Sequence, residues 1–195
     1  MLNFVISFLI LLNPFALFIY LLPIKKDRGF PAFANILFRA SIISAAIYLA
    51  FAFFGEAIFR SLYIQFEAFR IFGGIVLISF ALSFILQGKQ SMIATRGELS
   101  KIAAEVALPF IVGAGTITQS ILIGEVMDNV TALITVTLVM IINFSIIMGL
   151  AYARHLLKEP LKIVLDKNAE ILLRINGFIV GAYGVDLIIT GIANL

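Results

Sequence analysis

The sequence predicts an all-α polytopic membrane protein, with six transmembrane helices arranged as a 3+3 inverted repeat in which helices 1 and 4 are broken. Three observations predict it: an apolar composition, six uncharged runs of bilayer length, and a second half that aligns with the first. Of the 195 residues, 62% are hydrophobic and 13% charged, against roughly 45–50% and about 25% in soluble proteins. A soluble domain of this length buries only about 70% of its surface, so most of the remainder here would be Leu, Ile, Phe and Val. Lipid must be the solvent. Cysteine is absent, which excludes a disulfide framework and a thiolate metal site. His155, the single histidine, stands with Arg154 and Lys158 in a charged stretch and reads as a solvated loop residue. The basic residues gather in short loops between apolar runs. That is the pattern of a topology signal, so no nucleic-acid partner is implied.

A helix needs about 20 apolar residues to cross roughly 30 Å of hydrocarbon, and the runs are taken in order on that basis. The first, 2–24, lacks a basic leader and a small-residue cleavage site, so it is expected to be a retained helix and not a signal peptide. The second, 36–58, follows the basic group Lys25, Lys26 and Arg28, and the third, 68–87, opens on Arg70. The fourth, 105–124, contains Pro109 and Gly113-Ala114-Gly115-Thr116. The fifth, 129–153, has no charge at all, and the sixth, 171–193, carries Asp186. These runs are too long, and alternate too little, for barrel strands.

Lys25, Lys26 and Arg28, then Lys89, Arg96 and Lys101, then Arg154, Lys158, Lys162 and Lys167 fall on one side of such an arrangement, whereas the connection holding Glu125 and Asp128 has no Lys or Arg. The positive-inside rule then predicts a cytoplasmic-membrane protein with both termini outside.

A shift of 104 positions aligns Arg70-Ile71-Phe72-Gly73-Gly74-Ile75-Val76 with Arg174-Ile175-Asn176-Gly177-Phe178-Ile179-Val180. The same shift, without a gap, brings Ser41-Ile42-Ile43 onto Ser145-Ile146-Ile147 and Tyr48 onto Tyr152. The single transmembrane domain, 1–195, therefore reads as a repeat of about 1–88 followed by another of about 104–195. Three helices per half is an odd number, so equivalent helices cross in opposite directions, the arrangement common in transporters.

Asn13-Pro14 interrupts the first helix near its centre, and Pro109 with Gly113-Ala114-Gly115-Thr116 interrupts the fourth. Proline removes an amide donor and glycine lowers the cost of non-helical backbone. The freed backbone groups must be packed in protein or line a wet cavity, because lipid offers them no partner. Paired breaks of this kind mark Asn13, Pro14, Pro109, Gly113, Gly115, Thr116 and Thr118 as the candidate substrate-binding set, with Gln119 at the same depth. The half-helices that follow would aim positive N-termini at a substrate carboxylate. Kinks or close helix packing are the structural alternative.

Asp186 is the most conspicuous intramembrane charge and the candidate proton-coupling group; its structural alternative is a hydrogen bond between helices. Asn143, Ser145 and Ser41 could face the same interior, while Arg39 is expected to snorkel toward the basic side. Gly73, Gly74, Gly177, Gly181 and Gly184 lie at small-residue spacing and are read as packing positions.

With the Asn13-Pro14 break, the Arg70-Ile71-Phe72-Gly73-Gly74-Ile75 opening, Pro109 with Gly113-x-Gly115, and Arg174-Ile175-x-Gly177 leading to Gly191-Ile192, the chain resembles the MarC family of bacterial and archaeal membrane proteins, the SnatA-type small neutral amino acid transporters. It departs from that pattern where it has Asn13-Pro14-Phe15-Ala16 for Asn-Pro-x-Gly and Gly113-Ala114-Gly115 for Gly-Pro-Gly. The resemblance implies six helices and, for some members, transport of glycine or alanine.

The expected function is secondary transport of a small neutral amino acid by alternating access. A channel or a partner-binding membrane scaffold is the alternative, separable from it by saturable uptake. An intramembrane enzyme is not expected. No span holds His or Cys, no His-Glu-x-x-His is present, and no nucleotide-binding loop appears, so neither a metal nor a cofactor is implied. The expected partners are the small-molecule substrate and the lipid bilayer, with a homo-oligomer left open.

Overall fold

The computed structural model describes residues 1–87, 103, 107 and 111–195. Among them six α-helices succeed one another, with no strand: α1 (Leu2–Leu12), α2 (Pro14–Ser61), α3 (Phe66–Gln87), α4 (Ala114–Val126), α5 (Asn129–Leu156) and α6 (Glu159–Ala193). Five stretches of the described residues are long and apolar enough to span a bilayer: Leu2–Ile19, Leu21–Ser61, Phe66–Leu86, Asn129–Leu156 and Ile171–Ala193. The fold is all-helical and multi-pass. The predicted fourth span is described mainly through α4, and Pro109 lies outside the described residues.

Helicity extends beyond the apolar runs. The stretch 25–35, expected to be a loop, is helical except at Gly29, where φ 80 and ψ 172 divide α2 into segments 14–28 and 30–61. That combination of angles is open almost only to glycine. Pro31 follows in the first turn of the second segment, where its missing N–H costs nothing. Likewise α6 begins at Glu159, well before the apolar run that starts near 171. Hydropathy reads the length immersed in lipid, whereas hydrogen bonding sets the length of the helix.

The tightest contact is between α3 and α6, which pack antiparallel through glycine. A Cβ on Gly184 would stand 2.8 Å from the Gly74 carbonyl oxygen, one on Gly177 3.0 Å from that of Ala81, and one on Gly191 3.2 Å from that of Glu67. The packing expected of these glycines is thus present, with backbones touching as small residues allow. On the other flank α2 crosses α4, with Gly124 against the Ala52 backbone and Gly55 against Ile121. It also packs on α5, where Phe38 and Phe144 meet edge-on at 6.2 Å. At the basic end of that contact Lys25 donates to the Ala151 carbonyl and lies 5.4 Å over the Phe30 ring. The short α1 sits inside against α4 and α5, its Phe8 fully buried and edge-on to Tyr48 at 4.9 Å.

Asp128 begins α5, accepting from the Thr131 hydroxyl at 2.7 Å and from the Thr131 and Val130 amides at 3.0 and 3.1 Å. Those bonds hold its carboxyl below the usual carboxylate range. Its contribution to stability is complete above the ordinary carboxylate pKa and is lost as pH falls through the lowered one.

Gly29→Ala is expected to lower stability by about 1–3 kcal/mol through backbone strain alone, because its Cβ would meet nothing nearer than Pro31 at 3.9 Å. Gly149→Ala, helical and with open space around it, is the control and should be neutral or slightly stabilising. Thermal unfolding in detergent compares the two, and equal effects would mean that the angles at Gly29 are not imposed.

Candidate functional site

Asn13 closes one helix and opens the next. Its backbone is left-handed, φ 52 and ψ 65, a conformation that Asn tolerates better than other side chains. Its N–H donates to the Leu9 carbonyl at 2.9 Å, ending α1. Its Oδ1 accepts from the Ala16 N–H at 3.2 Å, capping α2. Pro14 occupies the first position of α2, where no amide is needed. The same Oδ1 accepts from Asn176 Nδ2 of α6 at 2.8 Å, which fixes the break against a distant helix.

The second break has a different construction. The Val112 N–H donates to Ala107, five residues back, at 2.8 Å, a widened turn of the kind found at functional positions. Gly113 is extended and precedes α4. Thr116 Oγ1 accepts from the Gly113 N–H at 2.9 Å and has one proton to give, to the carbonyl of Gly113 at 2.8 Å or of Ile111 at 3.3 Å. The Tyr48 hydroxyl donates to Ile111 at 2.7 Å. The first intrahelical bond of α4 runs from Ile117 to Gly113, so the amides of Ala114, Gly115 and Thr116 precede it and point out of the helix.

Between the breaks lies a cavity of about 70 Å³, lined by Leu12, Asn13 and Ala16 from the first, Gly113, Ala114 and Thr116 from the second, and a wall that includes Phe80 of α3 and Val180 of α6. One water-sized sphere occupies roughly 10–15 Å³ on this measure, so there is room for a molecule of a few heavy atoms. None of the described lining residues is charged. The two helix N-termini present partial positive charge to the space, and the C-terminal end of α1 presents partial negative charge.

Of the residues expected from the sequence, Asn13, Gly113 and Thr116 line this cavity. Pro14 lies beside it as the first residue of α2. Gly115 is a packing position, since its Cβ would press Leu77 at 2.8 Å. Thr118 is buried outside the lining, its hydroxyl without a partner among the described residues. Gln119 donates to Ser7 at 3.0 Å and clasps α4 to α1. Asp186 is exposed on α6, away from the cavity. Arg39 and Ser145 are exposed as well, whereas Ser41 and Asn143 are buried. Sequence reasoning missed Asn176 and Tyr48. The first stood at one of the two mismatches of the duplicated heptapeptide, opposite Phe72, and that was its only signal.

A second group of polar side chains is sealed nearby. Ser41 and Ser44 lie one turn apart on the face of α2 that continues to Tyr48, and Asn143 lies on the helix packed against α2. The two hydroxyls and both polar atoms of Asn143 are buried without a hydrogen bond among the described residues. Each such group costs about 1–3 kcal/mol. Asn143 lacks both a donor and an acceptor, a need that water meets and a bare cation does not.

A family model described as MarC family integral membrane protein matches residues 1–195. A UPF0056 membrane protein of Methanocaldococcus jannaschii is 30% identical over 178 residues, covering 86% of this chain and 81% of that one. Another, from Pyrococcus horikoshii, is 25% identical with 94% and 88% covered. The UPF0056 membrane protein YhcE of Escherichia coli is 24% identical with 99% and 92% covered. No solved structure matches.

Two outcomes are expected. Asn13→Gly should lose the cap and the Asn176 bond, and Asn13→Ala should lose about 1–2 kcal/mol more for the left-handed backbone; equal losses in detergent unfolding would remove the backbone from the account. Because the chain has no cysteine, Ser44→Cys and Asn143→Cys can be probed alone. Both should react with a small membrane-permeant thiol reagent faster than the equally buried Leu37→Cys, and equal protection of all three would show that this group never hydrates.

Proposed function

The chain belongs to the MarC family of integral membrane proteins, and from that premise we propose that it is a secondary transporter of a small neutral amino acid, glycine or alanine in size. The observation that carries the reading is the convergence of two half-helix N-termini and one half-helix C-terminus on a small uncharged cavity. The amides of Ala114, Gly115 and Thr116, with that of Phe15 at the start of α2, suit a carboxylate, and the carbonyl end of α1 suits an ammonium. A solute with net charge would leave that charge without a counter-ion in a low-dielectric space. The volume excludes a large side chain.

Alternating access of two inverted halves supplies the mechanism. The antiparallel crossing of α3 and α6, equivalent helices under the 104-residue shift, and the facing breaks of α1–α2 and α4 both support a pseudo-two-fold arrangement. The two breaks align at a shift of about 100, one helical turn shorter than the later helices do. The positive-inside rule supports a reading in which Lys25 and its basic neighbours face the cytoplasm and both ends lie outside. No coupling role is assigned to Asp186.

Counterflow in proteoliposomes tests this. Labelled glycine and alanine should exchange saturably, and lysine and glutamate should not compete. A methyl at Gly113 meets no atom within 4 Å and would project into the open cavity, so Gly113→Ala should fold normally and discriminate against alanine relative to glycine. Thr116→Ala should lose exchange of both. No exchange of any small amino acid by a folded protein would eliminate this substrate class.

A further inference from the structure

We infer that the outer face of α6 is the contact surface of a parallel homodimer, registered on Asp186. The residue is exposed on the least covered of the described spans. Its depth follows from the α3–α6 crossing, which sets Gly184 against Gly74 and Gly191 against Glu67 and so places Asp186 level with Phe72. That is five residues, about 7–8 Å of helix rise, deeper than Glu67, and about 18 Å from Arg174 toward the basic end. A side chain as short as Asp does not reach water from there. No side chain among the described residues bonds to it. A lone carboxyl group facing hydrocarbon is one of the costliest arrangements a membrane helix can adopt, and such groups are found paired or turned inward.

What covers it is decided by the rest of the face. Ile175, Ile179, Ala182, Asp186, Ile189 and Ala193 succeed one another at alternating spacings of four and three, and all are exposed. This is the 3.5-residue seam of two helices in a left-handed coil, with a single polar position inside it that fixes register. Alanine at 182, next to the carboxyl, permits close approach. In a two-fold pair whose axis runs along the bilayer normal, each seam residue meets its own copy. Two copies insert with the same orientation, so Asp186 finds at its own depth a group that accepts and, when neutral, donates. Lipid offers neither. The opposite side of α6 is occupied by α3 through glycine, so a second copy covers the free side without touching the cavity.

Single-cysteine variants in native-like membranes test the dimer directly, since the chain has no cysteine of its own. Under mild oxidation Ile179→Cys, Ala182→Cys and Ile189→Cys should give a disulfide-linked species of twice the chain mass. Phe54→Cys and Ile134→Cys, exposed on α2 and α5, should not. Adding Asp186→Leu to Ala182→Cys should cut the yield several-fold, and Asp186→Asn should restore most of it. Equal cross-linking at the control positions, linkage to a protein of another mass, or single-step photobleaching of the labelled wild-type chain would each overturn the homodimer. A yield indifferent to Asp186→Leu would overturn the registering role of the carboxyl. Because the readout is covalent linkage, its failure is distinct from failure of the transport reading.

Discussion

Every peptide group at membrane depth needs a partner, because hydrocarbon supplies none, and an unbroken helix is the cheapest way to provide it. This chain gives up that solution twice, at Asn13 and at Gly113, and then has to satisfy the ends it creates. At the first break one residue serves both directions, with Asn13 closing α1 through its amide and capping α2 through its side chain. At the second, Thr116 turns back on Gly113, and Tyr48 reaches across from α2 to occupy the Ile111 carbonyl. What remains unpaired among the described residues is the Phe15 amide of α2 and the amides of Ala114, Gly115 and Thr116 at the start of α4. Those of α4 lie beside the cavity, and the proposed function gives their polarity a solute to meet.

The rest of the architecture holds these ends in place. Gly73 brings α3 against Ala114, at the start of α4, and Gly115 admits Leu11 and Leu77. Asn176 links the first break to α6, and α6 is in turn held to α3 by the backbone contacts of Gly74 and Gly184. The two glycines of the second break therefore differ in kind. Gly115 lacks a side chain because its neighbours need the space, and Gly113 because the cavity does.

How much of this was legible in the sequence follows from what each signal measures. Uncharged length located the immersed spans, but the helical continuation through 25–35 and from Glu159 to 171 was invisible to it, since exposed charged residues form helices as readily as apolar ones. The first break was readable because Asn-Pro cannot continue a helix. Which side chains beyond each break face the cavity was not readable. Thr116 and Thr118 are about 200° apart around a helix, both are buried, and no periodicity in α4 says which of the two faces the cavity. The same ambiguity affected Asp186, whose charge drew attention but whose direction was set by the glycine-mediated crossing of α3 and α6. Asn176 carried no charge and broke no pattern other than the repeat.

Two kinds of seam emerge, and their chemistry assigns them different work. The α3–α6 contact is backbone against backbone and apolar, with nothing to gain from water. Ser41 and Ser44 of α2 and Asn143 of α5, the helix packed on it, are buried without a hydrogen bond among the described residues, a cost that hydration would release. Were the two halves to move as proposed, separation would cost least at the seam whose buried polar groups lack partners among the described residues. Tyr48 follows Ser41 and Ser44 on the same face of α2 and bonds the Ile111 carbonyl beside Thr116, so opening there would join the sealed polar stripe to the cavity and give a solute a continuous hydrogen-bonding path out of it.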